Sequence, residues 1–327
     1  MLTIARNLSV GVENLFQYKK NKLVYYLEGF IKMSNLPFII VLDIDNTIIG
    51  TVNQLSKERE VLEFIYNLCK KNKHDKCVIV NNIDMQKELK EGLLRPYINE
   101  FLHFCNKKFK NVEVFFYTNS TYNYTHTFLA TNVAKSINFK INKPYFTREN
   151  SMIINGSTKK SLVNILPIIV KKLVKRYPIM KSEKIVDYII HNRFIFIDDI
   201  PSNTFEYENR QLVCPKYEYR YYHDIPEVLI KNYNVNPELF NNRLVLEYLY
   251  NTSIPIYNKH GNIHQRNKEF IELSKEQQRK YSEVSKVNDV YFKDLIKELS
   301  KKSVNDIFLS DKTINIINKK LKNVKYY

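Results

Sequence analysis

The sequence has no tryptophan and only four cysteines among its 327 residues. Cys69, Cys77, Cys105 and Cys214 lack the paired CxxC spacing of zinc sites, and a chain of this size does not need a disulfide framework. We therefore expect reduced, structural thiols, as in an intracellular protein. The sequence also has no run of 18 or more apolar residues, so it predicts no transmembrane helix.

Residues 1–22 lack both the long apolar core of a secretory signal and the Arg-rich composition of a transit peptide. We therefore expect a cytoplasmic or nuclear protein with no membrane partner. Acidic residues are scarce: 34 Asp and Glu stand against 51 Lys and Arg, a formal net charge of +17. This excess favours acidic partners such as nucleic acid or phosphorylated protein. The abundance of Asn, Lys, Ile and Tyr is typical of AT-rich genomes, which include those of many large DNA viruses. The composition does not indicate an oligomeric state.

Basic residues are densest in the segment Lys171–Lys184, KKLVKRYPIMKSEK. Two interpretations of this segment stay open. It is either the solvated face of a helix or a patch that attracts phosphate groups.

The most informative segment is Pro37–Thr51, PFIIVLDIDNTIIGT. Its β-branched and aliphatic run predicts a buried strand of a parallel sheet, and reactive groups gather at the carboxyl ends of such strands. Strand alternation places Asp43 and Asp45 on one side, if the strand extends that far. Two carboxylates this close favour a divalent metal, and the pair suits a nucleophile beside an acid/base. The alternative is a strand that ends in a solvated acidic turn.

Two further apolar runs end in polar residues. Arg193–Asn203, RFIFIDDIPSN, ends in Asp198 and Asp199, and Val112–Ser120, VEVFFYTNS, ends in Thr118. Parallel strands would bring these ends to one edge of a sheet. The resulting set of carboxylates and a hydroxyl matches what phosphoryl transfer requires.

The motif series DIDNT, YTNS, a lysine and then IDD resembles that of the haloacid dehalogenase superfamily of phosphatases. The segment Leu94–Leu102, LRPYINEFL, is similar to the RPG-x-x-EFL segment of the FCP/SCP-type, NLI-interacting-factor-like phosphatases that act on the RNA polymerase II C-terminal domain. Phe146, Arg148 and Glu149 match that group's F-R-E motif. The resemblance covers roughly 37–227. It implies an α/β fold, a HAD-like Rossmannoid parallel sheet flanked by helices.

The resemblance also implies a role for each motif residue. Asp43 would be the nucleophile that forms an aspartyl-phosphate, Asp45 the general acid/base, and Thr118 a hydroxyl donor to the phosphate. The phosphate-contacting cation would be Lys160, because Lys160-x-Leu162-x-x-Ile165 reproduces the family's K-x-L-x-x-L pattern. A solvated Lys159–Lys160 pair is the alternative. The implied cofactor is Mg²⁺, with the ligands Asp43, Asp45 (through its backbone carbonyl), Asp198 and Asp199.

The hydrophobic pattern divides the chain into three parts: an N-terminal helical extension (1–35), a catalytic domain (36–234) and a mainly helical C-terminal region (235–327). An amphipathic helix or helix pair is expected from Lys268 to Lys302, where it either packs on the catalytic domain or binds a partner. The other predicted elements are strands at Pro37–Ile49, Val78–Val80, Val112–Tyr117, Phe139–Phe146, Phe194–Ile197 and Gln211–Cys214, and helices at Ser56–Lys71, Pro96–Lys107, Tyr122–Lys135 and Leu162–Arg176.

Two departures from the family concern the substrate. The segment SKEREVLEFIYNLCKK, residues 56–71, replaces the hairpin-like insert of the relatives, and Tyr97 stands at the glycine of RPG. Three hypotheses stay open. The protein is a Mg²⁺-dependent phosphatase of phosphoserine or phosphothreonine proteins, an end-processing phosphatase of nucleic acid, or an inactive FCP-like binding scaffold.

Overall fold

The computed structural model describes residues 35–50, 52–71, 84–204, 206–220, 224–253, 268, 272, 284–285, 289–301 and 309–322. The predicted N-terminal helix, except for its last residue, and the predicted strand Val78–Val80 lie outside these residues.

A five-stranded parallel sheet forms the centre of the protein, with strand order β3-β2-β1-β6-β7. This arrangement confirms the predicted fold class. The five strands are β1 (Phe38–Leu42), β2 (Val112–Tyr117), β3 (Ile141–Phe146), β6 (Phe194–Asp198) and β7 (Gln211–Val213). The two-stranded pairings are β4 (Met152–Ile154) with β5 (Ser157–Lys159), and β8 (Tyr217–Glu218) with β9 (Val284–Ser285).

Helices follow most strands and cover both faces of the sheet. Those between β1 and β6 are α1 (Val52–Lys71), α2 (Met85–Glu88), α3 (Ile98–Phe109), α4 (Ala130–Ser136), α5 (Leu162–Leu173) and α6 (Glu183–Asn192). Four more follow, α7 (Ile225–Tyr233), α8 (Arg243–Ser253), α9 (Tyr291–Ser300) and α10 (Asp311–Lys322). Helical segments Tyr122–Tyr124 and Thr125–Leu129 lead into α4, and Leu89–Leu93 continues α2.

Strand alternation divides the core into two layers. Ile39 and Val41 of β1 face the layer that includes residues of α5 and α6, whereas Ile40 and Leu42 face the layer that includes residues of α3, α9 and α10. Because β1 is buried on both faces, it has the continuous apolar sequence typical of a central parallel strand. A third cluster joins α1 to α7 and α8.

Part of the C-terminal region completes the layer beside α3. The rings of Phe101 in α3 and Phe292 in α9 lie 5.2 Å apart, and Asn318 of α10 pairs with the backbone of β7. Of the two alternatives for Lys268–Lys302, packing on the catalytic domain describes α9. Within the predicted helix or helix pair, Val284–Ser285 instead forms strand β9, because its backbone pairs with β8. The boundary at residue 234 stays a prediction.

Cys105 and Cys214 are buried free thiols, and Cys69 is also buried, in agreement with the expected structural role. Within the described ranges, no helix has the length and apolarity needed to span a membrane.

A buried ionic cluster lies beside α1, around Arg220. The guanidinium of Arg220 lies 3.3 Å from Glu58 and 2.8 Å from Glu88, and neither glutamate side chain is exposed. Burial, and then the neighbouring Glu88, raise the pKa of Glu58 to about 7, although Arg220 opposes the shift. The folded protein therefore retains a proton that the unfolded chain releases between about pH 4.5 and 7, and stability falls as the pH rises through that window.

We predict that Glu58→Gln removes this pH dependence. Because glutamine stays neutral, the variant should exceed the wild type in unfolding free energy at pH 8 by up to about 3 kcal/mol, and the difference should vanish below about pH 4, where the carboxyl is protonated in both states. Denaturant unfolding at several pH values measures this difference. Glu63→Gln, on the exposed side of the same helix, is the control and should show no such trend. A difference between Glu58→Gln and wild type that does not change with pH would contradict the assignment.

Candidate active site

The chain leaves the sheet after Leu42 through residues 43–50, which we call the acidic loop. The predicted strand Pro37–Ile49 is too long, because the amides of Ile48 and Ile49 turn back to the carbonyl of Ile44. Asn46 adopts a positive φ of 58° inside this turn. The loop ends at Gly50, where a Cβ atom would lie 2.4 Å from the Cβ of Tyr219, so this close approach requires glycine.

Lys160 lies between two aspartates at the carboxyl edge of the sheet. Its ammonium donates to Asp43 and, at 2.6 Å, to Asp198, and only 1% of its side chain is exposed. Burial lowers the pKa of this lysine, but the two carboxylates outweigh burial and hold the pKa above its usual value. The backbone amide of Lys160 donates to Asn203, which fixes the lysine beside the end of β6. The lysine is therefore a charged, fixed part of the site.

Lys159 lies outside this arrangement. It ends β5, and its half-buried side chain donates to the backbone carbonyl of Ser202 at 2.8 Å. The structure thus places Lys160 within the aspartate cluster and Lys159 outside it.

The two aspartates at the end of β6 have different environments. Asp198 is fully buried and accepts hydrogen bonds from the Ile200 amide and the Asn203 side chain, in addition to Lys160. Asp199 is instead linked to the acidic loop: Thr47 Oγ1 lies 3.2 Å from Asp199 Oδ1 and 2.9 Å from Asp43 Oδ2. Thr47 therefore connects two carboxylates that come from different strands.

Asp45 faces the residues that follow β2. The hydroxyls of Thr118 and Ser120 donate to its Oδ2 at 3.3 and 3.4 Å. Its Oδ1 is buried and has no hydrogen-bond partner within the described part of the chain. Burial raises the pKa of Asp45, although Thr118 opposes the shift. Such a carboxyl holds its proton more readily than an exposed aspartate.

The negative charge of the site exceeds what one lysine balances. Oxygen atoms of Asp43, Asp198 and Asp199 lie within 4.8 Å of one another. Burial raises the pKa of Asp43 well above its usual value despite Lys160, and the nearby aspartates contribute to the rise. Burial and Asp198 raise the pKa of Asp199 to about 6. A hard divalent cation fits this set, since its preferred ligands are carboxylate and carbonyl oxygens and its charge would favour the ionised forms.

A cleft of about 250 Å³ opens over these groups. Its lining is mostly polar and includes an arginine, Arg148, whose Nε donates to the Asn119 carbonyl. The lining residues are Asp43, Asp45, Asn46, Thr118, Asn119, Ser120, Arg148, Lys160, Asp199, Ile200 and Asn203. The nucleophile candidate, the acid/base candidate and the hydroxyl candidate all line this one cleft.

The structure brings all six predicted site residues together. Five line the cleft, and Asp198 lies directly behind Lys160. Sequence reasoning assigned no role to Thr47, Ser120 and Asn203, each of which holds one of the aspartates. Thr47 stands inside the D-x-D-x-T motif, and Asn203 ends the IDDIPSN segment, so the motifs contained both residues without showing what they contact. The predicted chemical roles stay predictions at this point.

The two departures from the family are located by the fold. Residues 56–71, expected to replace a hairpin-like insert, belong to helix α1, and the hairpin of β4 and β5 lies just before Lys160. Tyr97 takes a left-handed conformation with φ of 64° at the start of α3, a conformation that glycine adopts without strain.

A parallel α/β sheet with three carboxylates and a buried lysine at its carboxyl edge defines a protein with a phosphoryl-transfer type of site. The family model of NLI interacting factor-like phosphatases matches residues 38–231, and the chain belongs to this family. The solved structures that match include that of Fcp1, described as an essential RNA polymerase II CTD phosphatase. That match has 16% sequence identity and a TM-score of 0.31, and it covers 90% of this chain and 73% of that chain. Comparison with curated proteins gives no significant match.

We predict that Lys160→Ala lowers kcat/KM for a phosphomonoester by about 10²–10³-fold, as does removal of a preorganised oxyanion donor. Lys159→Ala should leave kcat/KM almost unchanged, because that side chain donates to the Ser202 carbonyl and is not among the described residues that line the cleft. Steady-state kinetics and thermal melts of both variants measure the effect and exclude unfolding. Similar small losses in the two variants would show that the phosphate cation lies elsewhere.

The basic segment Lys171–Lys184, which begins in the last turn of α5, is badly placed to replace Lys160 as the cation that contacts phosphate. The helix begins beside Lys160 at Leu162, and Lys171 lies nine residues further along it. At 1.5 Å per residue this places the first basic residue roughly 14 Å away along the helix axis.

Proposed function

We propose that this protein is a Mg²⁺-dependent phosphatase that acts through an aspartyl-phosphate on Asp43, with a phosphoserine- or phosphothreonine-containing protein as substrate. One observation carries the proposal: a buried lysine and three clustered carboxylates lie under a cleft that leaves Asp43 and Asp45 accessible. Membership of a phosphatase family supports the reaction class.

In the first step, a carboxylate oxygen of Asp43 attacks phosphorus and the bond from phosphorus to the substrate oxygen breaks. Asp45 gives its proton to that departing oxygen. Its burial suits this role, because the raised pKa keeps a fraction of the carboxyl protonated. Thr47 restrains Asp43 by a hydrogen bond to Oδ2, so the attacking group has a defined position.

In the second step, Asp45 takes a proton from water as the water oxygen attacks the aspartyl-phosphate. Inorganic phosphate leaves, and the Asp43 carboxylate is regenerated. Thr118 and Lys160 are the candidates to donate hydrogen bonds to phosphate oxygens in both steps, since both line the cleft beside the two aspartates. Mg²⁺, held by Asp43, Asp199 and the Asp45 carbonyl with Asp198 beside them, would supply positive charge for the phosphoryl oxygens.

The lining of the cleft favours a protein substrate over a nucleic-acid strand. Among the described residues that line it, the cations are Lys160 and Arg148, whereas a track for a nucleic-acid backbone combines several. Apolar surface is available instead. Ile200, in the cleft lining, is 49% exposed. Tyr124 lies near Asp45: burial, and to a smaller extent the charge of Asp45, raise the pKa of Tyr124 to about 12.

An end-processing phosphatase of nucleic acid is the second candidate, because the net charge of +17 favours a polyanionic partner. The inactive-scaffold hypothesis has less support. The nucleophile, acid/base, hydroxyl and lysine candidates are all present and lie within one site.

We predict that Asp43→Asn abolishes turnover while the fold persists. The carboxamide keeps an acceptor for Thr47 but cannot form the acyl-phosphate, and uncatalysed monoester hydrolysis is slower than enzymatic rates by up to about 10²¹-fold.

Chelation of the metal by EDTA should abolish the activity of the wild type, and added Mg²⁺ should restore it. Appreciable activity of the variant, or metal-independent activity of the wild type, would contradict this mechanism.

The substrate proposal is tested by a panel of phosphoserine and phosphothreonine peptides alongside 3′-phosphorylated oligonucleotides. We expect a higher kcat/KM for the peptides, with Asp43→Asn as the control for contaminating phosphatases. Preference for the oligonucleotides would instead support the nucleic-acid alternative.

A further inference from the structure

The acidic loop is held from outside by a buried arginine, Arg95. The Arg95 amide donates to the Ile48 carbonyl at 2.9 Å, and Arg95 Nη1 donates to the Thr47 carbonyl at 3.0 Å. Thr47 in turn bonds Asp43 and Asp199 through its hydroxyl. Thr47 therefore links the guanidinium of Arg95 to the carboxylates of Asp43 and Asp199.

Arg95 is positioned by a segment far away in the sequence. Its Nε donates to Asp289 Oδ2 at 2.5 Å, and neither side chain of this ion pair is exposed. The rings of Tyr217, Tyr291 and Phe292 lie 5.5, 5.0 and 5.6 Å from the guanidinium carbon and enclose it. Because the charge of Arg95 is buried among rings, Asp289 is its counter-ion within the described residues.

Asp289 itself is fixed by the start of α9. Its Oδ1 accepts the backbone amide of Tyr291 at 2.9 Å, and Tyr291 and Phe292 are fully buried in the core layer beside α3. The family match ends at residue 231, so this carboxylate comes from outside the region that the family model describes. The contact is therefore a contribution of this chain's C-terminal region to the site.

We propose that Asp289 is a positioning residue for the site. It orients Arg95, Arg95 fixes the backbone of the acidic loop at Thr47, and Thr47 holds the carboxylates of Asp43 and Asp199 at the separation that a divalent cation requires. The kinetic part of this proposal rests on the proposed phosphatase function, whereas the order of the acidic loop does not.

Two variants test the contact in different ways. Asp289→Asn keeps the shape of the side chain but removes the charge that orients Arg95. Arg95→Lys keeps the charge balance of the buried pair, but a single ammonium cannot reproduce the planar fork that donates to Asp289 and Thr47 together. The second variant preserves the test if loss of the buried counter-ion prevents Asp289→Asn from folding.

Asp311→Asn is the matched control. Asp311 also belongs to the C-terminal region and also pairs with a buried arginine, Arg210, at 2.8 Å. Arg210 donates to the carbonyls of Phe194 and Leu309 and makes no hydrogen bond to the acidic loop. The control therefore loosens the C-terminal region without disturbing the proposed contact.

Amide hydrogen exchange is the first measurement. Exchange of peptides that span residues 43–50 should become faster in Asp289→Asn and Arg95→Lys than in wild type and Asp311→Asn. Calorimetric titration with Mg²⁺ is the second measurement, and the two variants should bind the ion about 10–100-fold more weakly, as expected when a group behind the ligands is lost. At saturating Mg²⁺, the kcat/KM for a phosphomonoester should come closer to the wild-type value in these two variants than in Asp43→Asn.

The outcomes separate the two proposals. If the wild type binds Mg²⁺ without hydrolysing phosphomonoesters, the proposed function fails, and exchange and Mg²⁺ affinity still decide the role of Asp289. If the wild type does not bind Mg²⁺, exchange alone decides it. If the amides of residues 43–50 exchange at the wild-type rate in folded Asp289→Asn and Arg95→Lys, the inference is wrong.

Discussion

Lys160 carries its charge in a place where almost no water reaches it, and two aspartates from adjacent strands surround its ammonium group. An ammonium or a carboxylate buried alone would be strongly destabilising, so each member of this group requires the others. The third carboxylate, Asp199, joins them through Thr47 and leaves the cluster with more negative charge than the lysine balances. That imbalance suits the cluster to a cation, and Asp43, the proposed nucleophile, belongs to the same cluster.

The fold satisfies this constraint by bringing distant segments to one edge of the sheet. Strands β1 and β6 are neighbours with Leu42 opposite Ile197, so Asp43, which follows β1, and Asp198, the last residue of β6, meet at the carboxyl edge. The hairpin of β4 and β5 delivers Lys160 from a third segment, and the Lys160 amide is tied to Asn203. Helices α9 and α10 complete one layer of the core, so the C-terminal region supports the sheet as well as the acidic loop.

The sequence predicts the site residues that lie at the ends of buried strands, because each strand has a local pattern. Buried strands are visible as apolar runs, and the residues that follow them are visible as their polar ends, which is why Asp43, Asp45, Thr118, Asp198 and Asp199 could be identified. Pairs that depend on tertiary structure have no such signal. Arg95 and Asp289 are 194 residues apart, and the strand pairing of Val284 overrides a helical pattern. The end of β1 at Leu42 was also missed, because the aliphatic residues after Asp43 continue the apolar pattern into a turn.

Covalent phosphorylation of Asp43 is tested most directly by mass spectrometry of enzyme peptides after rapid acid quenching of a reaction with p-nitrophenyl phosphate. An Asp45→Asn variant is the suitable enzyme: p-nitrophenolate leaves without a proton from Asp45, so the intermediate can still form, whereas loss of the base that activates water should slow its hydrolysis. We expect one added phosphoryl group on the peptide that contains Asp43, and its loss when hydroxylamine cleaves the acyl-phosphate. A phosphoryl group on any other residue, or complete turnover with no labelled enzyme at any quench time, would contradict it.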